Sequence, residues 1–277
     1  MNYFSCLLVV WMLSFSLLGF GCQENGKGEH STEETLSGDS LMADSLVMPE
    51  PTPDSVAVSY LLGRFDPEKD TNFVKIEDKH SEGSGRGAYL HRETYEAFKK
   101  MYEAAKADGV QLVIRSATRN FYRQKEIWEG KWTGSTKVGG KDLSKSTPDP
   151  EERALTILLY SSMPGTSRHH WGTDMDLNAF ENDYFKSGKG LKEYQWLTEN
   201  AHTFGFCQPY TEKGENRPNG YEEERWHWSY VPLAKKYLAA YGNQVSMEMI
   251  EGFKGAEVAG PIGVIEKYVF GINEACK

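Results

Sequence analysis

Runs of basic residues are missing from this sequence. Its 31 Lys and Arg are scattered among 40 Asp and Glu, and the formal net charge is −9. Proteins that hold phosphate backbones do so with clustered Lys and Arg, so no nucleic-acid partner is expected, and the acidic balance reads as solvated surface. Cysteine is scarce as well. The four are Cys6, Cys22, Cys207 and Cys276, and their spacing matches no zinc-finger pattern. Cys207 and Cys276 are expected to pair if the compartment is oxidising and to stay as two thiols if it is not. Internal repeats are also absent, which leaves no basis for a solenoid or propeller.

The apolar run at residues 7–20 is too short and too close to the start for a membrane-spanning helix, and it fits the apolar region of an export signal. The positive flank of such signals is lacking, since Met1-Asn2-Tyr3-Phe4 carries only the terminal amine. Leu18-Gly19-Phe20-Gly21-Cys22 is similar to a bacterial lipoprotein signal, with the aliphatic residue one position too far upstream. The expectation is export to the periplasm or cell envelope, with membrane attachment through a lipidated Cys22. The stretch that follows is rich in Glu, Ser, Thr, Gly and Pro. It cannot bury enough apolar surface to offset the entropy of ordering, which predicts a disordered tether. The expected organisation is a signal segment over 1–22, a linker over 23–57 and one catalytic domain over 58–277, acting as a monomer.

Within the domain, residues 56–62 alternate weakly and predict a first strand. Residues 91–108 predict a helix, with Tyr95, Phe98, Tyr102 and Ala105 on one face and Gly109 at its C-terminal stop. Val110-Gln111-Leu112-Val113-Ile114 predicts a strand, followed by a helix over 121–128. Residues 132–147 read as a flexible loop. Asp149-Pro150-Glu151-Glu152 opens a helix, with an N-cap Asp, Pro in the first turn and acids at the positive end. Helix over 191–202, strands at 204–206 and 224–231, a charged hairpin loop over 211–220 and a helix over 232–241 complete the reading; the remaining tail is ambiguous.

Chemistry is concentrated in Ser167-Arg168-His169-His170-Trp171-Gly172-Thr173-Asp174-Met175-Asp176-Leu177, which is answered by Glu224-Arg225-Trp226-His227-Trp228. A catalytic zinc takes three protein ligands from His and Asp or Glu. His169 and Asp176 are seven apart and would face opposite ways on one continuous strand. Gly172 allows a turn between them, after which both converge, and His227 is the third ligand. Asp174 shares the Asp176 side and competes with it for that role, whereas His170 faces away from His169. Glu224 is close enough to His227 to move a proton beside the metal. Arg119, at the end of the predicted strand, faces either a developing oxyanion or a surface carboxylate.

The segment from Ser167 resembles the Ser-x-His-x-x-Gly-x-x-x-Asp motif of VanY-type D-alanyl-D-alanine carboxypeptidases. Glu224-Arg225-Trp226-His227-Trp228 resembles that family's Glu-x-Trp-His motif, and Ser116-Ala117-Thr118-Arg119 with Gln124 resembles its Ser-x-x-Arg and downstream Gln. The resemblance implies an α+β fold in which a small antiparallel sheet flanked by helices carries a zinc (Zn2+) site of His169, Asp176 and His227. It implies Glu224 as general base, Arg119 at the oxyanion or substrate, and Ser116, Gln124 and Ser167 lining the substrate site. The implied reaction is hydrolysis of D-Ala-containing peptidoglycan stem peptides. An endopeptidase or dipeptidase using the same site, and a non-catalytic wall-binding lipoprotein, are the alternatives. The chain departs from the pattern at Asp174, Gln208-Pro209-Tyr210, Arg225 and Ser229. These departures are expected to touch the cleft wall and so to alter substrate choice.

Overall fold

A computed structural model describes residues 56–277. The expected signal segment, the lipidation of Cys22 and all but the last two residues of the expected linker lie outside the described residues. The described chain is α+β. It opens with α1 (Val58–Leu61) and a two-stranded pair, β1 (Phe73–Lys75) against β2 (Tyr89–His91). Within the stretch 56–62, where alternation predicts a strand, residues 58–61 are therefore helical. Apolar residues i and i+3 or i+4 serve a helix as well as i and i+2 serve a strand, and here Leu61 and Leu62 are both buried in the core.

His91 caps α2 (Arg92–Ala107) by accepting the Glu93 backbone N–H, and α2 turns Tyr95, Phe98, Met101 and Ala105 inward. Gly109, just past its end, takes the left-handed conformation with φ 74°. The strand after it, β3 (Ile114–Ser116), starts later than β-branched content suggests. Then come α3 (Phe121–Trp132), capped by the Asn120 side chain, α4 (Leu143–Ser146) inside the expected loop, and α5 (Pro150–Ile157), capped by Asp149 as the sequence predicts.

A four-stranded antiparallel sheet in the order β3, β4 (Asp174–Leu177), β6 (His227–Tyr230), β5 (Phe206–Cys207) holds the centre. α6 (Gly188–Asn200) precedes β5, α7 (Val231–Gln244) follows β6 without a break, and the tail folds into short turns around α8 (Ala259–Ile262). Phe204 belongs to the helical turn after α6, and Gly205, with φ 83°, reverses the chain into β5. Alternation along the strands splits the sheet into two faces. Met175, Leu177 and Trp228 join Phe98 and Met101 of α2 and Trp196 and Leu197 of α6 in one apolar cluster. The other face carries polar groups. Its registers pair Asp176 with both Ser116 and His227, and Asp174 with Ser229.

Candidate active site

Directly opposed residues on neighbouring antiparallel strands point their side chains to the same face. The pairing of Asp176 with His227 therefore brings together two groups 51 positions apart without help from any loop. His169 arrives differently. It sits in a helical turn, Arg168–Trp171, that Gly172 ends in the left-handed conformation at φ 72°. That reversal lets His169 face back over β4, as the glycine suggests. A Cβ on Gly172 would stand 2.4 Å from the Phe73 ring and 2.9 Å from the His91 nitrogen, so only glycine fits there.

Every nitrogen of these imidazoles has an assignable role. His169 Nδ1 lies 2.9 Å from the Ala117 carbonyl, which accepts its proton, and Nε2 is left bare toward the site. His227 Nε2 lies 2.8 Å from Asp174 Oδ2, so Nδ1 is the atom turned inward. Asp176 Oδ1 stands 3.5 Å from His169 Nε2 and 3.4 Å from His227 Nδ1. Ligand atoms of the three residues all fall within 4.8 Å of one another. All three side chains are buried, and His169 Nε2 and Asp176 Oδ1 have no hydrogen-bond partner among the described residues. Buried polar atoms without partners are costly. Two imidazole nitrogens and a carboxylate oxygen converging in this way fit a divalent metal of borderline softness.

His170 points the other way, as expected. Its Nδ1 donates to the Arg119 carbonyl at 2.5 Å and its Nε2 accepts from Gly165 N–H at 3.0 Å. Burial then pushes its pKa down to about 3, so it is a neutral structural strut. Asp174 is not the competing ligand that strand alternation allowed. It stands opposite Ser229, one register step away, and its oxygens are occupied by Arg168, His227, Ser229 and Thr173.

Glu224 completes the cluster. A turn in which His227 N–H bonds the Glu224 carbonyl at 3.2 Å brings the two side chains together, with Glu224 Oε2 3.1 Å from His227 Nδ1. Burial raises the Glu224 pKa against the opposing pull of His227, which suits a group that must accept a proton and give it back. Arg119 Nη1 lies 3.9 Å from Asp176 Oδ2 and 3.3 Å from Ser116 Oγ. It therefore faces the site rather than the surface.

These groups open on a cleft of about 580 Å³, whose lining includes Arg119, Lys131, Tyr160, His169, Asp176, Glu181, Asp183, Glu224 and Trp226. Ser116, Gln124 and Ser167 are buried and are not among that lining; Gln124 Nε2 donates to the Ser162 carbonyl at 2.8 Å. The departures from the family pattern are not among that lining either. Arg225 stacks over Tyr194, Gln208 bonds the Tyr210 and Glu224 carbonyls, and Asp174 and Ser229 lie beneath His227. They bear on how the site is held rather than on the wall that a substrate meets. Lys131 escaped sequence reasoning. It is two helical turns beyond Gln124 on α3 and bonds Ser161 Oγ, and burial with the nearby Arg119 lowers its pKa. The four-residue spacing from Ile127, which also lines the cleft, puts Lys131 on the same helix face.

The model of the family VanY: D-alanyl-D-alanine carboxypeptidase matches residues 87–233. The chain is 32% identical over 133 residues to a D-alanyl-D-alanine carboxypeptidase of Enterococcus faecalis, covering 48% of this chain and 45% of that protein. It is 32% identical over 148 residues to YodJ of Bacillus subtilis, covering 52% and 46%. The solved structure of the LD-carboxypeptidase LdcB superposes with a TM-score of 0.46 at 23% identity, over 68% of this chain and 79% of that one. The chain thus spans about half the length of these two curated relatives. With the family match running through the His169, Asp176 and His227 cluster and Glu224, the chain belongs to the VanY D-alanyl-D-alanine carboxypeptidase family.

Proposed function

We propose that the protein is a zinc-dependent carboxypeptidase that releases D-Ala from peptidoglycan stem peptides. The observation that carries this reading is the convergence of His169 Nε2, Asp176 Oδ1 and His227 Nδ1 beside the buried carboxylate of Glu224. When bound by these three residues, zinc supplies Lewis acidity toward the scissile carbonyl and lowers the pKa of a nearby water. Glu224 accepts the proton of the attacking water and later delivers it to the departing amine. Arg119 faces the oxygen that gains negative charge, and its fixed guanidinium stabilises that charge without reorganisation. Arg119 and Lys131 together give one part of the cleft positive charge, which suits the free carboxylate of a peptide end.

Family membership supports this reaction, and the Cys207–Cys276 disulfide supports an oxidising, exported location. The test is to incubate the purified chain with a stem peptide ending in D-Ala-D-Ala and weigh the products. The expected result is loss of one D-Ala, abolished by chelation and restored by zinc. Glu224→Ala should lower kcat by about 10²–10⁴-fold while the metal is retained. Turnover that survives both chelation and Glu224→Ala contradicts the reading. Cleavage only within cross-linked peptides would assign the same site to an endopeptidase.

A further inference from the structure

Beneath the metal cluster lies a second buried charge network. Asp174 and Arg168 are both at most 1% exposed. Asp174 Oδ2 accepts from Arg168 Nε at 3.0 Å and from His227 Nε2 at 2.8 Å. Its Oδ1 accepts from Ser229 Oγ at 2.7 Å and from Thr173 Oγ1 at 2.7 Å. Arg168 Nη2 also reaches Ser229 Oγ at 2.7 Å, and the guanidinium lies over Trp171, 5.1 Å from the ring centre. Cross-strand pairing of Asp174 with Ser229 puts both on the sheet face that bears Asp176 and His227.

A buried ion pair is poor evidence of a stability device, since desolvation commonly cancels its attraction and an apolar pair of equal volume does as well or better. What this pair does uniquely is hold one imidazole nitrogen. Three other donors, Arg168, Ser229 and Thr173, fix the carboxylate in place, and the carboxylate in turn fixes the proton of His227 on Nε2. With that proton held on Nε2, Nδ1 is the nitrogen that can offer a lone pair to a metal, aimed toward His169 and Asp176. Arg168 matters equally: by neutralising Asp174 it keeps another net negative charge from the site.

We propose that Asp174, held by Arg168 and Ser229, is a positioning residue that sets the tautomer and orientation of His227 and thereby the metal affinity of the site. This rests on the reading that His169, Asp176 and His227 bind a metal ion. An Asn at position 174 has the same shape, but its NH2 would meet hydrogen-bond donors where a carboxylate oxygen now accepts. A carboxylate partner behind a ligating imidazole is worth about 10- to 100-fold in metal affinity.

The experiment measures zinc affinity of the full chain by competition with a chromogenic chelator, for wild type and Asp174→Asn. The expected result is affinity weaker by about 10- to 100-fold in the variant, with an unchanged circular dichroism spectrum. Affinity within twofold of wild type overturns the proposal. The wild type gives an answer that no misfolded variant can block. In ¹⁵N-histidine-labelled protein loaded with ¹¹³Cd, His227 should carry its proton on Nε2 and show metal coupling at Nδ1. A His227 proton on Nδ1 overturns the proposal. Wild type that takes up no ion overturns the metal reading and this one with it, whereas wild type that binds ions no better than Asp174→Asn overturns this one alone.

Discussion

His227 is enclosed by three carboxylates, and its behaviour without metal follows from them. Burial works against the imidazolium, but Asp174, Glu224 and Asp176 outweigh burial and raise its pKa to about 9. A histidine whose folded pKa lies above its ordinary value of about 6.5 contributes stability that is fully present below that value. This stability is lost as pH rises through the folded pKa. Glu224, raised by burial, acts with the same sign at lower pH. The chelated protein should therefore lose thermal stability between pH 7 and pH 10, as read by differential scanning fluorimetry. The zinc-loaded protein should lose much less, because the ion replaces the proton on Nδ1. Equal slopes for the two forms would contradict this account of the cluster. Lys131 carries a separate prediction. Lys131→Gln should raise KM for a peptide with a free C-terminus by on the order of 10-fold, as a charge-assisted hydrogen bond implies. It should leave kcat and the binding of a C-terminally amidated peptide nearly unchanged.

Among the elements, the turn between His169 and β4 is the most constrained. Gly172 sits at φ 72°, where a side chain is strained and where a Cβ would also press on Phe73 and the His91 backbone. Gly172→Ala should cost at least about 1–3 kcal/mol from the backbone alone and should weaken metal binding by displacing His169. Urea unfolding with chelator competition reads both effects. This turn is legible in the sequence, because a glycine between two candidate ligands seven apart has a geometric meaning. The choice between Asp174 and Asp176 is not. Residues i and i+2 share a strand face, so only the register on β6, which sets Asp176 against His227 and Asp174 against Ser229, separates the candidate ligand from its support. Residues 56–62 are ambiguous for a similar reason: a short apolar stretch fits either period until its packing partners are known, and α1 forms only over Val58–Leu61. Tertiary placement also decides Gln124 and Ser167, which are buried and not among the residues lining the cleft.

At the scale of the molecule, the sheet joins two regions that are far apart in sequence, and a covalent link reinforces the join. Cys207 on β5 is bonded to Cys276, 69 residues away near the C-terminus. β5 pairs with β6, the strand that carries His227. Closing a loop of this length removes about 4 kcal/mol of freedom from the unfolded chain. Cys207→Ser with Cys276→Ser should accordingly lower Tm by on the order of 10 °C, with the secondary structure retained. The central claim is that three residues drawn from a turn and two strands hold one metal ion, with Glu224 beside it as base. The most direct measurement is metal content by mass spectrometry of the purified chain and two variants after zinc loading and gel filtration. The account predicts one zinc per chain in wild type and in Glu224→Ala, and none in a folded His227→Ala. Zinc retained equally by His227→Ala, or absent from wild type, would contradict it.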